Sequence, residues 1–173
     1  MAGYLQGDRP ATDEAVGERE TLIAFLDLYR ATLELKCEGL TPEQLAQRSV
    51  PPSSMSLVGL VRHLAEVERV WFRRWNGEQT EPRYYSKADP DGDFDNVDGS
   101  QEHVDDAFAY WRSEVEHARQ VAAEGGLEVA FVHARDGRAI TLRWILVHMI
   151  EEYARHCGHA DLLRERIDGA TGY

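Results

Sequence analysis

The sequence is poor in the features that direct a chain out of the cell or into a membrane. It holds 2 cysteines in 173 residues, too few for a disulfide framework. Cys37 and Cys157 match no Cys-x-x-Cys or zinc-finger spacing, so both read as reduced packing residues. No stretch approaches the roughly 20 apolar residues of a membrane span, and the N-terminal region lacks the apolar centre of a signal peptide. A cytoplasmic location is the expectation. Lysine is nearly missing, since Lys36 and Lys87 are the only ones and every other cationic chain is an arginine. Positive charge is also in deficit, with 19 Lys and Arg against 31 Asp and Glu and a formal net charge of -12. A nucleic-acid backbone or an anionic membrane needs a basic surface. The arginines here are scattered between acids, so neither partner is expected. Internal repeats, low-complexity tracts, a phosphate-binding glycine loop and a nucleophile elbow are likewise missing from the pattern.

What the sequence does hold is amphipathic helix. With 43% hydrophobic and 29% charged residues, the composition is that of one ordinary globular domain. Residues 1–12 carry Gly and Pro without periodicity and read as a flexible arm, leaving 13–173 as a single domain. From Asp13 to about Glu38, the residues Leu22, Phe25, Leu26, Tyr29, Leu33 and Cys37 recur at three- and four-residue spacing, which predicts a first helix ending at Gly39. Thr41–Gln47 has an N-cap Thr, a Pro at the first helical position and a Gln at the capping-box position, the pattern of a short connecting helix. Pro51 and Pro52 stop it.

Ser54 or Ser56 opens a second long helix whose apolar face comprises Leu57, Leu60, Val61, Leu64, Val67, Val70 and Trp71, with His63 inside that face. The connection from Gly77 to Ser100 is long, and its second half is rich in Asp and Gly. Asp91, Asp93, Asp95 and Glu102 fall at EF-hand positions one, three, five and twelve, but Asn96 stands where that loop requires glycine. A solvated acidic lid over a pocket is the reading preferred to a calcium loop. A third helix is expected over Gln101–Glu124, with His103 and His117 at or beyond the edges of its apolar stripe as surface residues. Between Leu127 and Ile140, Asp136 and Gly137 mark a turn joining two short apolar stretches, either a small hairpin or an ordered loop. The fourth long helix runs from Thr141 to Gly169, with Gly158 as a close-packing point. The fold class is therefore all-α, a four-helix bundle with long crossover loops.

Chemistry concentrates on that last helix. At about 100° per residue, His148, Glu152, His156 and His159 share one arc, and Ile145 and Leu163 fall inside it. Burying several ionisable groups without partners costs several kcal/mol, and a bound cation satisfies them most economically. Glu152 and His156, four residues apart, project side by side, and His63 on a facing helix can supply a third donor. Three protein donors leave a coordination position open, the catalytic rather than the structural pattern. His148 and His159 compete for these roles or support them, and Arg155 lies beside the same face, where it can meet an anionic substrate or a surface acid. Trp71 and Trp144 either wall the pocket or pack in the core. Cys157 points to the opposite side of the helix. The competing reading is a set of buried, hydrogen-bonded histidines with an ion pair.

Helix two, SLVGLVRHLAEVERVWF, and helix four, LRWILVHMIEEYARHCGHADLLRE, resemble the corresponding helices of the DinB-like superfamily, metal-dependent four-helix bundles that include mycothiol-dependent maleylpyruvate isomerase and bacillithiol S-transferases. The likeness runs from helix one to Arg166 and is most specific around EEYARHCGHADLLRE. It implies a divalent metal, zinc or nickel, held by His63, Glu152 and His156. The sequence reads RHCGHA where the commoner pattern is HHRGQ, so His159 replaces a glutamine. The resemblance further implies a low-molecular-weight thiol as cosubstrate, activated for S-transfer to, or isomerisation of, a small electrophile. The arginine bias suggests a GC-rich bacterial source, and with it mycothiol as the thiol. His148, His159 and Arg155 are then the candidate catalytic residues. The alternatives are a hydrolase using metal-bound water with Glu151 or His148 as base, and a metal-binding stress protein without turnover. A homodimer through exposed helix faces is the common assembly of such bundles.

Overall fold

The computed structural model describes residue 7, residues 9–133 and residues 137–172. Four long helices dominate: α1 (Glu18–Cys37), α3 (Leu57–Glu68), α5 (Gln101–Glu124) and α6 (Leu142–Asp168). Two short helices, α2 (Pro42–Ala46) and α4 (Gly92–Asp95), lie in the connections, and β1 (Ala130–Val132) pairs antiparallel with β2 (Ala139–Thr141) just before α6. Helix α1 packs mainly on α6 and α3 mainly on α5, with α3 also meeting α6. The all-α bundle and the hairpin both agree with the expectation; Asp136 of the expected turn, like residues 1–6 and 8 of the expected arm, lies outside the described residues. Within that arm, Arg9 donates a hydrogen bond to Thr32 at 3.3 Å.

The helix ends show local chemistry choosing the boundaries. Helix α1 starts at Glu18 rather than Asp13, because Gly17 at φ 102° takes a backbone shape that only glycine adopts without strain and turns the chain just ahead of the helix. Thr41 and Gln44 complete a capping box on α2, and Ser56, Ser100 and Thr141 cap α3, α5 and α6 with their hydroxyls. Gly169, left-handed at φ 78°, ends α6. Gly158 is not a close-packing point: a Cβ there would meet nothing within 4 Å, because the residue faces solvent. Phe25 also sits further out than its spacing suggested, at 38% exposure, displaced from the core stripe by Leu26, Arg30, Leu33 and Cys37.

Helix α3 does not end at Glu68 but continues through a π-helical segment, Arg69–Arg73, before the chain turns at Gly77. A π turn inserts one extra residue into the helical repeat and so advances the phase of the residues beyond it. The stripe Leu57, Leu60, Val61 and Leu64 is fully buried as expected, but it is Phe72 that continues it into the core. Val67, Val70 and Trp71 come out half-buried.

At the centre of the bundle lies a polar knot. Arg30 Nε and Nη2 donate to the two oxygens of Glu68, each at 2.8 Å. Tyr153 donates its hydroxyl to Glu68 at 2.8 Å and accepts from Trp111 Nε1 at 2.8 Å. All four side chains are buried, and they come one from each long helix. Burial opposes the Arg30 charge, but Glu68, Tyr153 and Asp27 outweigh it and hold the guanidinium above its ordinary value. Burial likewise raises the Glu68 carboxyl while Arg30 and Tyr153 pull it down; the two-pronged geometry is that of the ionised pair. Removing one member leaves the other charge buried alone, so Arg30→Ala is expected to cost about 3–5 kcal/mol and Tyr153→Phe about 1–3 kcal/mol, read by denaturant unfolding. A loss below about 1 kcal/mol in Arg30→Ala would show that the knot is dispensable.

Candidate metal centre

Among the described residues, one group of three or more His, Cys, Asp or Glu side chains brings donor atoms together: His63 of α3 with Glu152 and His156 of α6, one atom from each, all within 4.8 Å of one another. The sequence-predicted trio therefore converges. His156 Nε2 stands 3.6 Å from Glu152 Oε2, and the rings of His63 and His156 lie 4.7 Å apart between centroids. Two donors held about 2.0–2.2 Å from one tetrahedral zinc ion are separated by roughly 3.4 Å, so the helical pair already has the spacing that a small divalent cation needs. Two imidazoles and a carboxylate are also the nitrogen and oxygen donors that such ions accept.

Each donor is held from behind. His63 Nδ1 is 2.8 Å from Asp93 Oδ2, so Nε2 is the ring nitrogen available to a cation, the arrangement by which carboxylates orient metal-binding histidines. His156 Nδ1 lies 3.3 Å from His159 Nδ1, which again leaves Nε2 facing Glu152. His148 Nε2 lies 3.6 Å from Glu152 Oε1 and its Nδ1 lies 3.5 Å from Glu151. Its ring is stacked on Trp144 and edge-on to Trp71. Burial, then the neighbouring His63 and His159, lowers His156 to about 3. At neutral pH its imidazole is therefore uncharged, as a metal donor must be.

The three donors open onto a chamber of about 630 Å³ whose wall also includes Ser53, Ser54, Met55, Asp91, Phe94 and Arg155. Arg155 is exposed on the wall and donates to Glu151, the surface ion pair that was one of its two expected roles. His148 and His159 are not part of that wall. Of the indoles, Trp71 borders the chamber, whereas Trp144 is 44% exposed and packs on His148 rather than in the core. A second chamber of about 270 Å³ adjoins it along His63, Val67 and Trp71, which belong to both walls. The thiol of Cys157 is buried against the carbonyl of Tyr29 at 3.5 Å, and burial pushes it and Cys37 up to about 12, so neither offers a thiolate.

Sequence reasoning missed Asp93. The acidic connection does not act as a solvated lid throughout: Asp93 is buried on His63, Asp95 pairs with Arg48, and Asp91 faces the chamber. These acids diverge, which is not the arrangement of an EF-hand loop. Glu66 was missed as well. It is buried, accepts the backbone N–H groups of Arg83 and Tyr84 at 2.6 and 2.9 Å, and takes Arg69 Nε on its other oxygen at 2.7 Å. Arg62 adds a second pin, donating to the carbonyls of Gly92 and Asn96. His103 and His117 are half-buried rather than on the surface, drawn in by Arg62 and Glu78.

A bundle whose facing helices present two imidazoles and a carboxylate to an open chamber defines a class of candidate metal-binding helical proteins. Sequence comparison narrows it: the family model of mycothiol-S-transferase matches residues 21–169, and the chain belongs to that family, within the DinB-like superfamily. A conserved protein from Enterococcus faecalis, known from its crystal structure, shares the fold with a TM-score of 0.68 and 15% identity, over 90% of this chain and 99% of that one. No curated protein matches the sequence.

Glu66 ties the connection to α3 independently of any cation. Glu66→Ala is expected to cost about 1–3 kcal/mol and to speed hydrogen exchange at the Arg83 and Tyr84 amides. Unchanged protection of those two amides would refute this pinning role.

Proposed function

We propose that the chain is a thiol S-transferase that uses a divalent cation, zinc or nickel, at His63, Glu152 and His156, and a low-molecular-weight thiol, mycothiol, as cosubstrate. The observation that carries this reading is the convergence of three donors on an open chamber in a member of the mycothiol-S-transferase family. Three donors rather than four leave room for an exogenous group. A divalent cation at that point supplies the stabilisation that keeps a thiol in its nucleophilic thiolate form at neutral pH.

The remaining work falls to the chain's own groups. Asp93 holds the His63 ring by its Nδ1, and His159 holds His156 by its Nδ1, so both Nε2 atoms stay aimed at one point. His148, clamped between two indoles, sits behind Glu152 and acts on its orientation. His148 and His159 are therefore positioning residues in this reading, and Arg155, on the chamber wall, is the one of the three that can touch an anionic part of the thiol. The hydrolase alternative finds less support, because neither Glu151 nor His148 lies on the chamber wall. The bundle is taken as one functional unit in the cytoplasm, with no nucleic-acid or membrane partner.

Metal analysis of the purified protein and of His156→Ala tests the centre. The expected result is about one equivalent of divalent metal in the wild type, lost in the variant while the helical circular-dichroism spectrum is retained. Equal metal content in the two proteins would sink the proposal. Asp93→Ala should weaken metal affinity by about 10–100-fold, read by competition with a chelating dye. Conjugation of a reactive electrophile should require mycothiol; turnover without thiol would instead favour the hydrolase.

A further inference from the structure

The second chamber adjoins the metal centre at His63, and the functions proposed for the thiol and the cation do not use its remaining wall. Its apolar wall is Val67, Val70, Trp71, Tyr85 and Pro90. Three polar side chains also reach it, His63, Glu66 and Asp93, and both carboxylates are already engaged. Glu66 has one oxygen on two backbone amides and the other on Arg69. Asp93 has Oδ2 on His63 and Oδ1 on the amide of Phe94 at 3.1 Å. A polar occupant would lose its water and find few partners, which is costly, while an apolar one gains by burial. An anion would in addition face two carboxylates. The larger chamber is also largely apolar, with Met55 and Phe94 beside the shared Val67 and Trp71, but it adds Arg155, Ser54 and Asp91, exposed at its wall and able to meet a hydroxylated, charged molecule.

We propose that the smaller chamber is the electrophile subsite and that it selects an uncharged, apolar acceptor about the size of one substituted ring. A cavity of about 150 Å³ accepts benzene, and 270 Å³ therefore holds a ring with a short reactive arm. The shared wall of His63, Val67 and Trp71 places that arm next to the point where the two His Nε2 atoms and Glu152 converge. This assignment rests on the thiol-transfer function proposed for the metal centre. For an acceptor of the benzylic halide class, the thiolate sulfur donates an electron pair to form the carbon–sulfur bond, the carbon–halogen electron pair leaves with halide, and the proton of the thiol is released to solvent.

The test separates the chamber from the reaction. Binding of the unreactive probe 4-fluorotoluene is followed by ¹⁹F NMR on the metal-loaded protein. Two variants probe it: Val70→Phe fills the chamber, and Tyr85→Ala, on the connection outside the long helices, removes a ring from its wall. Val70→Phe should weaken binding by about ten-fold or more and Tyr85→Ala by about two- to ten-fold, with metal content unchanged in both. In the conjugation assay with mycothiol, Val70→Phe should raise KM for benzyl chloride by about ten-fold with KM for mycothiol unmoved, and iodoacetate should be a poor substrate throughout. Absence of 4-fluorotoluene binding to the wild type would overturn the proposal. So would undiminished binding in both variants, or equal efficiency with iodoacetate and benzyl chloride. Binding that both variants weaken, in a protein that conjugates no electrophile to any thiol, would uphold the apolar chamber and overturn the thiol-transfer function instead.

Discussion

The bidentate pair between Arg30 and Glu68 is the constraint to which the rest of the molecule is fitted. A charge buried without its partner costs several kcal/mol, so α1 and α3 can pack only in the rotational phase that brings these two side chains together. Tyr153 and Trp111 extend the same requirement to α6 and α5. The phase matters for function because the candidate donors ride on the same helices. Tyr153 sits directly after Glu152 and precedes His156 by less than one turn, so turning Tyr153 into the core places its neighbours on the flank that looks at His63. An apolar core tolerates rotational drift, because Leu and Val pack in many ways; a hydrogen-bonded ion pair does not.

The second tier of organisation is the connection between α3 and α5. It has little regular structure of its own, and buried groups of α3 hold it: Glu66 takes the amides of Arg83 and Tyr84, and Arg62 takes the carbonyls of Gly92 and Asn96. Backbone groups of an irregular segment must find partners, and here the helix supplies them. The outcome is a wall of Tyr85, Pro90, Asp91 and Phe94 closing over the same stretch of α3 that carries His63.

The fold and the central trio were legible because both rest on helical periodicity. Apolar residues at three- and four-residue spacing marked four helices, and donors at the same spacing marked Glu152 and His156. The π segment was not legible in the apolar spacing; Phe72 is buried within it, while Val70 and Trp71 line chamber walls. Asp93 lay in a run of acids that offered no reason to single one out, and its role depends on a contact across 30 positions of sequence. Glu68 was missed although a signal for it existed, since Leu57, Val61, Leu64, Glu68 and Phe72 form one unbroken stripe. A carboxylate on such a stripe announces a buried cation opposite, and Arg30, between Leu26 and Leu33, occupies the equivalent place on α1.

The contact of Asp93 with His63 has a thermodynamic corollary. Because one partner belongs to a crossover connection and the other to the site, the free energy that orders the connection and the free energy that binds a cation are linked, and linkage is reciprocal. If the proposed centre binds a cation, whatever the ordered segment adds to its affinity returns as resistance of that segment to local opening. On the proposed function, the acidic connection would report occupancy of the centre, tighter with a cation bound than without one.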